Sequence, residues 1–129
     1  MKIIPEQVIQ QECYNWFVNT YCLKHHSPRF IIHSVPNGIP VSLPPKEMAR
    51  ALDLLKKTGM VRGVSDLKIE GMFGRNINAE CKTDKGEQSE DQKDIQLRIE
   101  ALHGVYFVFR SLPEFQQKIS LHIDWLLGK

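Results

Sequence analysis

Two acidic residues and a lysine stand at a spacing that could support metal-dependent chemistry. Glu80 follows Asp66 by fourteen positions, and Lys82 comes two residues after Glu80. If the segments around them pair as an antiparallel hairpin, Asp66 lies about opposite Cys81, and its carboxylate reaches the face that Glu80 and Lys82 share. Converging carboxylates repel each other unless a cation compensates them, and Mg²⁺ and Mn²⁺ prefer such oxygen ligands. The spacing therefore predicts a site for a hard divalent cation.

The first predicted helix offers a further acidic residue. Glu6 projects into the middle of the apolar stripe of this helix, and Gln10 lies one turn further on, at the edge of the stripe. A carboxylate on such a stripe is costly to bury without a partner, so either a partner is present or Glu6 lies beyond the edge of the core. Glu12 projects well off the stripe, where a carboxylate is easily solvated. Glu6 is the better candidate for the site, and Glu12 is the alternative.

Hydrophobic periodicity and turn residues predict eight elements, in the order α-β-α-β-β-α-β-α. The predicted helices cover residues 5–23, 45–59, 89–104 and 113–127, and the predicted strands cover 29–35, 66–70, 77–82 and 105–109. Ser89-Glu90-Asp91-Gln92 has the form of a capping box, and Pro36-Asn37-Gly38 is a turn signal. The strand at 105–109 is almost continuously apolar, which favours a central position. We expect an α/β fold, with a central mixed sheet flanked by helices.

Composition bounds the class of protein. A chain of 129 residues with 42% hydrophobic residues predicts one domain, residues 1–129. No apolar run approaches a membrane span, and no leader pattern is present, so we expect no membrane partner and a cytoplasmic location. Phosphate-binding Gly motifs are absent, which argues against a nucleotide cofactor. The three cysteines form no C-x-x-C pair, so neither a disulfide framework nor a four-cysteine zinc site is expected.

The chemistry-bearing residues carry a resemblance to a known family. Asp66, followed by Glu80-x-Lys82, resembles the PD-(D/E)XK nuclease superfamily, and the wider pattern resembles its VRR-NUC branch, the virus-type replication-repair nucleases. One departure is visible, because the family usually has proline before the aspartate and this chain has Ser65. The other matching segments follow in order along almost the whole chain: Glu6-x-x-x-Gln10, Trp16, His33-Ser34-Val35-Pro36-Asn37-Gly38, Leu55-Lys56-Lys57-Thr58-Gly59, Gly63-Val64-Ser65-Asp66-Leu67, Gly86-x-x-Ser89-x-x-Gln92, Tyr106 and Ile123-Asp124-Trp125-Leu126.

The resemblance implies a restriction-endonuclease-like fold and a role for each matching residue. Asp66, Glu80 and the main-chain carbonyl of Cys81 would bind the catalytic Mg²⁺ or Mn²⁺, and Lys82 would orient the attacking water or stabilise the developing charge. Glu6 would bind a second metal or a metal-associated water. Gln10 and Gln92 would position these ligands, although the capping box already accounts for Gln92 and a hydrogen bond within the core could account for Gln10.

The resemblance also implies a substrate. Stand-alone members of this kind act as homodimers that resolve four-way DNA junctions, in phages and bacteria, which predicts a Holliday junction resolvase with a role in DNA repair. The basic residues expected to hold DNA phosphates are Lys46, Arg50, Lys56, Lys57, Arg62 and Lys68. Two alternatives remain: a nuclease for flaps or single strands, and a nuclease-fold module that docks on DNA or on a protein without cutting.

Overall fold

The computed structural model describes residues 4–35 and 42–129, and the predicted turn at Pro36-Asn37-Gly38 lies outside them. The elements follow the predicted order, with boundaries within a few residues of those expected from the sequence. The helices are Glu6–Tyr21 (α1), Pro45–Lys57 (α2), Glu90–Ala101 (α3) and Leu112–Leu126 (α4). The strands are Ile31–Ser34 (β1), Leu67–Glu70 (β2), Asn76–Cys81 (β3) and Val105–Phe109 (β4).

The strands of the described residues form one mixed sheet in the order β1-β2-β3-β4. The first two pairings are antiparallel and β3–β4 is parallel. The predicted hairpin of β2 and β3 is therefore confirmed. The central position expected for residues 105–109 is wrong, because β4 stands at one end of the strand order. Its apolar character comes instead from α4 and α3, which both pack against it.

The apolar core lies on one face of the sheet. Alternate strand residues, such as Ile77, Ala79 and Cys81 on β3, point to this face and pack against α1 and α4. The other face is polar, with Lys68, Asn78, Glu80 and Tyr106 in neighbouring positions across three strands. The third helix covers this polar face and contributes the buried Ile95. Among the described residues, no helix has the length and apolar character that crossing a membrane requires.

The loop that leads into β2 is held against the start of α3. Gly63 has φ +90, and a Cβ built on it would lie 2.3 Å from the main-chain oxygen of Asp91. Only glycine adopts this backbone conformation at little cost and also leaves room for the carbonyl. The contact fixes the path of the chain three residues before Asp66, so it contributes to the position of that carboxylate.

We expect Gly63→Ala to destabilise the protein more than Gly59→Ala. Both glycines have positive φ, which costs an alanine about 1–2 kcal/mol, but a Cβ at Gly59 meets nothing within 4 Å. The clash at Gly63 should add roughly 1–3 kcal/mol to the loss in free energy of unfolding. Urea denaturation of both variants measures the difference. Equal losses would show that the loop moves away from α3 freely.

Candidate active site

Asp66 directly precedes β2 and Glu80 lies on the adjacent β3, at the same end of the hairpin. Leu67 pairs with Ala79, so continuing this register places Asp66 opposite Glu80, one residue from the predicted position opposite Cys81. Directly opposed residues share a face, and both side chains therefore lie on the polar face of the sheet. The Oδ2 atom of Asp66 also accepts a hydrogen bond of 2.7 Å from the main-chain N–H of Cys81.

Glu80 is fully buried, with 0% of its surface exposed. Its Oε1 atom accepts a short hydrogen bond from the Tyr106 hydroxyl, whereas its Oε2 atom has no hydrogen-bond partner among the described residues. Burial raises the pKa of the Glu80 carboxyl, and the Tyr106 hydrogen bond and the Lys82 charge partly oppose that increase. A buried oxygen without a partner is costly, so this carboxylate is suited to receiving a cation.

Asp66 is subject to the same opposing influences. Burial raises the pKa of its carboxyl most, the Cys81 amide lowers it, the negative charge of Glu6 raises it and Lys82 lowers it. The charges of Glu6 and Lys82 therefore both act on Asp66 and on Glu80. The structure brings these four predicted residues into one electrostatic cluster.

Lys82 is half-buried and follows β3 directly. Its main-chain N–H donates to the carbonyl of Phe109 at 3.0 Å, which extends the pairing of β3 with β4 by one residue. The next turn is fixed by Arg110, whose guanidinium donates to the carbonyls of Thr83 and Gly86, each at 2.6 Å. The main chain of this lysine is thus held from both sides, and its charge acts on Asp66 and on Glu80.

The acid of the first helix lies at the edge of the site rather than within the core. Glu6 is exposed, which agrees with the expectation that it lies beyond the edge of the core. Its main-chain oxygen accepts a hydrogen bond of 3.5 Å from the Cys81 thiol, whose pKa burial raises to about 12. This contact ties the start of α1 to the end of β3. The charge of Glu12 affects the pKa of Cys13 instead, so Glu6 is the nearer acid to Asp66 and Glu80.

Two glutamines were predicted to position the ligands. Gln92 forms the capping box with Ser89: its Oε1 accepts from the Ser89 N–H at 2.8 Å, and its own N–H donates to the serine hydroxyl. Only its side-chain NH₂ remains available for another role. Gln10 is half-buried and lines a cavity of about 480 Å³ between α1 and β1, beside Leu67. Neither arrangement tests the predicted roles.

Ser65 stands before the aspartate, where the resemblance led us to expect proline. It is buried, and its hydroxyl donates to the carbonyl of Leu67 at 3.0 Å. A side-chain hydrogen bond to the main chain two residues ahead constrains a turn. The turn before Asp66 is therefore fixed by a hydrogen bond of Ser65. A proline at this position would instead restrict φ through its ring.

The predicted DNA-binding residues differ in exposure. Arg62 is exposed, whereas Lys68 on β2 is half-buried and lines a groove under α3 with Asn78 and Arg98. The four basic residues of α2 are all exposed, and Lys57 forms an ion pair of 2.9 Å with Asp53. The apolar stripe of this helix contains no buried residue, and its last turn lies beside Val64. The four exposed basic residues of α2 are Lys46, Arg50, Lys56 and Lys57.

The cluster provides oxygen ligands of the kind that Mg²⁺ and Mn²⁺ prefer. No group of three or more His, Cys, Asp or Glu side chains that could hold a metal ion occurs within residues 4–35 and 42–129. The fit rests on Asp66 and Glu80, on their shared face and on the partnerless, buried Oε2 of Glu80. The chemistry of these donors suits a hard cation, with a main-chain carbonyl such as that of Cys81 as a further ligand.

Sequence reasoning matched Tyr106 to the family pattern but assigned it no role, and it missed Gln88 and Arg110. The alternation of β4 could have indicated Tyr106, because residues 106 and 108 must face the same side as Glu80 when β4 lies beside β3. The pairing partner of β4 was needed for that step. Arg110 and Gln88 carry no comparable signal, since Arg110 binds loop carbonyls and Gln88 lies in a loop itself.

Comparisons with known proteins give one informative similarity. Neither a protein-family model nor a curated protein matches this chain significantly. Among solved structures, the chain is similar to one described as a "VRR_NUC domain protein", with a TM-score of 0.69 and 18% sequence identity. The superposition covers 95% of this chain and 91% of the other. The fold is therefore that of a VRR-NUC domain protein, as the sequence motifs indicated.

Proposed function

We propose that this protein is a metal-dependent endonuclease that hydrolyses phosphodiester bonds in branched DNA, and that it acts as a homodimeric resolvase of four-way junctions. One observation supports the proposal above all: Asp66 and Glu80 share a face, with a buried and partnerless carboxylate oxygen and with Lys82 beside them. The VRR-NUC fold agrees with a nuclease. A purely structural carboxylate would have hydrogen-bond partners for both oxygens.

Asp66, Glu80 and the Cys81 carbonyl would hold Mg²⁺ or Mn²⁺, which when bound polarises a phosphate and lowers the pKa of water. Lys82 would orient the attacking water and stabilise negative charge that develops on the phosphate oxygens. Its position next to both carboxylates supports this role, because its charge acts on Asp66 and on Glu80. Glu6, at the exposed edge of the cluster, would hold a second cation or a water.

Two further residues would act on this site without touching the phosphate. Gln10, one turn beyond Glu6, and Gln92, at the start of α3, would orient ligands or water through their amides. For Gln92 this role falls to its NH₂ group, since its oxygen belongs to the capping box.

The substrate would be held by phosphates along the exposed basic residues of α2 and its following loop. Lys46, Arg50 and Lys57 lie on one side of α2, opposite its apolar stripe. The last turn of the helix lies beside Val64, two residues before Asp66, which supports DNA contacts of α2 near the site. Resolution of a junction requires two symmetric cuts, and a two-fold homodimer would supply two related sites.

The proposal is tested by cleavage of an end-labelled four-way junction, run beside the linear duplex, a flap and the single strands. Reactions contain Mg²⁺, Mn²⁺ or EDTA. Paired symmetric nicks in the junction alone, lost in EDTA, are expected. Preferential cutting of the flap or of the single strands would indicate a nuclease with a different substrate specificity and would contradict the resolvase assignment. Junction binding without cutting in either metal would indicate a non-catalytic module.

We expect the triple variant Lys46→Ala, Arg50→Ala, Lys57→Ala to bind the junction less tightly and with weaker dependence on salt. Each lost phosphate contact should reduce the slope of log affinity against log salt by about 0.9. Binding is measured in EDTA by fluorescence anisotropy at several salt concentrations. Lys24→Ala is the control, because Lys24 is exposed beyond the opposite end of α1 from Glu6. An unchanged slope in the triple variant would place the DNA elsewhere.

A further inference from the structure

A chain of polar side chains lies behind Glu80, on the side away from the strand end. Tyr106 on β4 is 5% exposed and pairs with Asn78, two residues before Glu80 on the adjacent strand. Its hydroxyl donates to Oε1 of Glu80. The contact joins the candidate metal ligand to a strand that carries none of the predicted site residues.

The chain continues into α3. The side chain of Gln88, in the loop before that helix, lies near the Tyr106 hydroxyl, where it partly opposes the rise in the pKa of that group that burial causes. Its Nε2 also donates to Oε1 of Gln96 on α3 at 2.9 Å. Gln96, Gln88, Tyr106 and Glu80 therefore form a series of neighbouring polar side chains, with a hydrogen bond between the first two and another between the last two.

The two oxygens of Glu80 differ in their hydrogen bonding. A glutamate carboxylate turns about a soft terminal torsion, and its two oxygens are chemically equivalent when nothing distinguishes them. Here Oε1 is engaged by Tyr106, and Oε2 is left buried without a partner among the described residues. A network that served stability alone would satisfy both oxygens, because each unsatisfied buried acceptor is costly.

We propose that Tyr106, supported by Gln88 and Gln96, is a positioning residue that reserves Oε2 of Glu80 for the catalytic cation. The inference rests on the proposed function, since it assumes that Glu80 binds a metal. Outer groups that fix a ligand atom change metal affinity or activity by about 10- to 100-fold when removed. Tyr106 makes its contact through Oε1, so it acts through Glu80 and does not touch the substrate.

The test is Tyr106→Phe, which removes one oxygen and keeps the ring. Binding of Mn²⁺ in the absence of DNA is measured by calorimetry and by the rise in melting temperature on adding Mn²⁺. We expect an affinity about 10- to 100-fold weaker and a correspondingly smaller rise in melting temperature. Tyr21→Phe removes a hydroxyl on the other side of the sheet, among Phe17 and Phe30, and is expected to bind Mn²⁺ as the wild type does.

A second readout separates positioning from damage to the fold. Raising the Mn²⁺ concentration should restore the cleavage rate of Tyr106→Phe, because a weakened ligand can be saturated and a disordered site cannot. If that variant does not fold, Gln88→Ala replaces it, since the Tyr106 contact with Glu80 is retained and a smaller loss in the same direction is expected. Wild-type Mn²⁺ affinity in Tyr106→Phe would overturn the proposal.

The proposed nuclease activity can be refuted independently of the positioning role of Tyr106. A wild-type protein that binds Mn²⁺ but cuts no junction would refute the activity, while the affinity of Tyr106→Phe would still decide the positioning role. A wild-type protein that binds no Mn²⁺ would overturn the positioning role whatever the cleavage assay gives.

Discussion

Lys82→Ala is expected to cleave a four-way junction about 10²- to 10⁴-fold more slowly than the wild type, while it still binds the junction. Lys82 is the cation whose charge lowers the pKa of both Asp66 and Glu80. It is also held in place from both sides, by the end of β3 and by the turn that Arg110 fixes. Removing its ammonium leaves that framework intact and takes away the group proposed to orient water or stabilise charge.

The rate is measured under single-turnover conditions, with protein in excess over labelled junction, so that product release does not limit it. Lys85→Ala is the matched control, because Lys85 is exposed and lies three residues further along the same loop. Full activity in Lys82→Ala would mean either that the site lies elsewhere or that a contaminating nuclease cuts the junction. Loss of activity in both variants would point to the loop as a whole.

Glu80→Gln is expected to abolish metal-dependent cleavage and to make the metal-free protein more stable at neutral pH. The wild-type carboxylate is fully buried, and its Oε2 has no partner in the described structure. Removing the charge should recover roughly 1–3 kcal/mol of the free energy of unfolding. A proposed metal ligand whose buried oxygen lacks a hydrogen-bond partner is the kind of group for which function and stability oppose each other.

The gain should depend on pH in a defined direction. Burial raises the pKa of Glu80 above its usual 4.5, so the folded protein binds this proton more tightly than the unfolded chain does. The carboxyl therefore favours folding fully below about pH 4.5, and that contribution is lost as the pH rises through the raised pKa. Glu80→Gln lacks the group, and its advantage over the wild type should grow over the same interval.

Denaturant titrations in EDTA between about pH 4 and pH 8 measure this difference. Glu87→Gln, at an exposed acid, is the control and should change little. Added Mn²⁺ should stabilise the wild type and not Glu80→Gln, because only the wild type retains the ligand. A Glu80→Gln protein less stable than the wild type in EDTA at pH 7 would contradict the interpretation of Oε2 as an unsatisfied buried oxygen.

The elements and the β2–β3 hairpin could be predicted because their signals are local. Ser89 and Gln92 show the capping box in the sequence, and the structure contains both of its hydrogen bonds. The register was predicted one residue away, since sequence cannot fix the exact pairing of a hairpin whose loop contains a 3₁₀ turn. That error did not separate the carboxylates, because the side chain of Asp66 reaches the amide of Cys81.

Other features depend on contacts between distant segments. The apolar β4 was expected in the centre of the sheet, because composition reports burial and not the position in the strand order. The hydrogen bond from Tyr106 to Glu80 joins residues 26 positions apart across a parallel pair, so it depends on that strand order. The exposure of Glu6 depends on where the core ends, which no periodicity within α1 reveals.

The polar face of the sheet has a consequence for how this protein could change during evolution. Along β3, Ile77, Ala79 and Cys81 pack in the core, while Glu80 faces the opposite side. Substitutions of these core residues thus threaten the folded state, whereas a substitution of Glu80 threatens the proposed reaction. A descendant that exchanges Glu80 for an uncharged residue would keep its shape and gain stability. If the proposed cleavage activity is correct, its loss would therefore increase stability, and only selection for that activity would retain the acid.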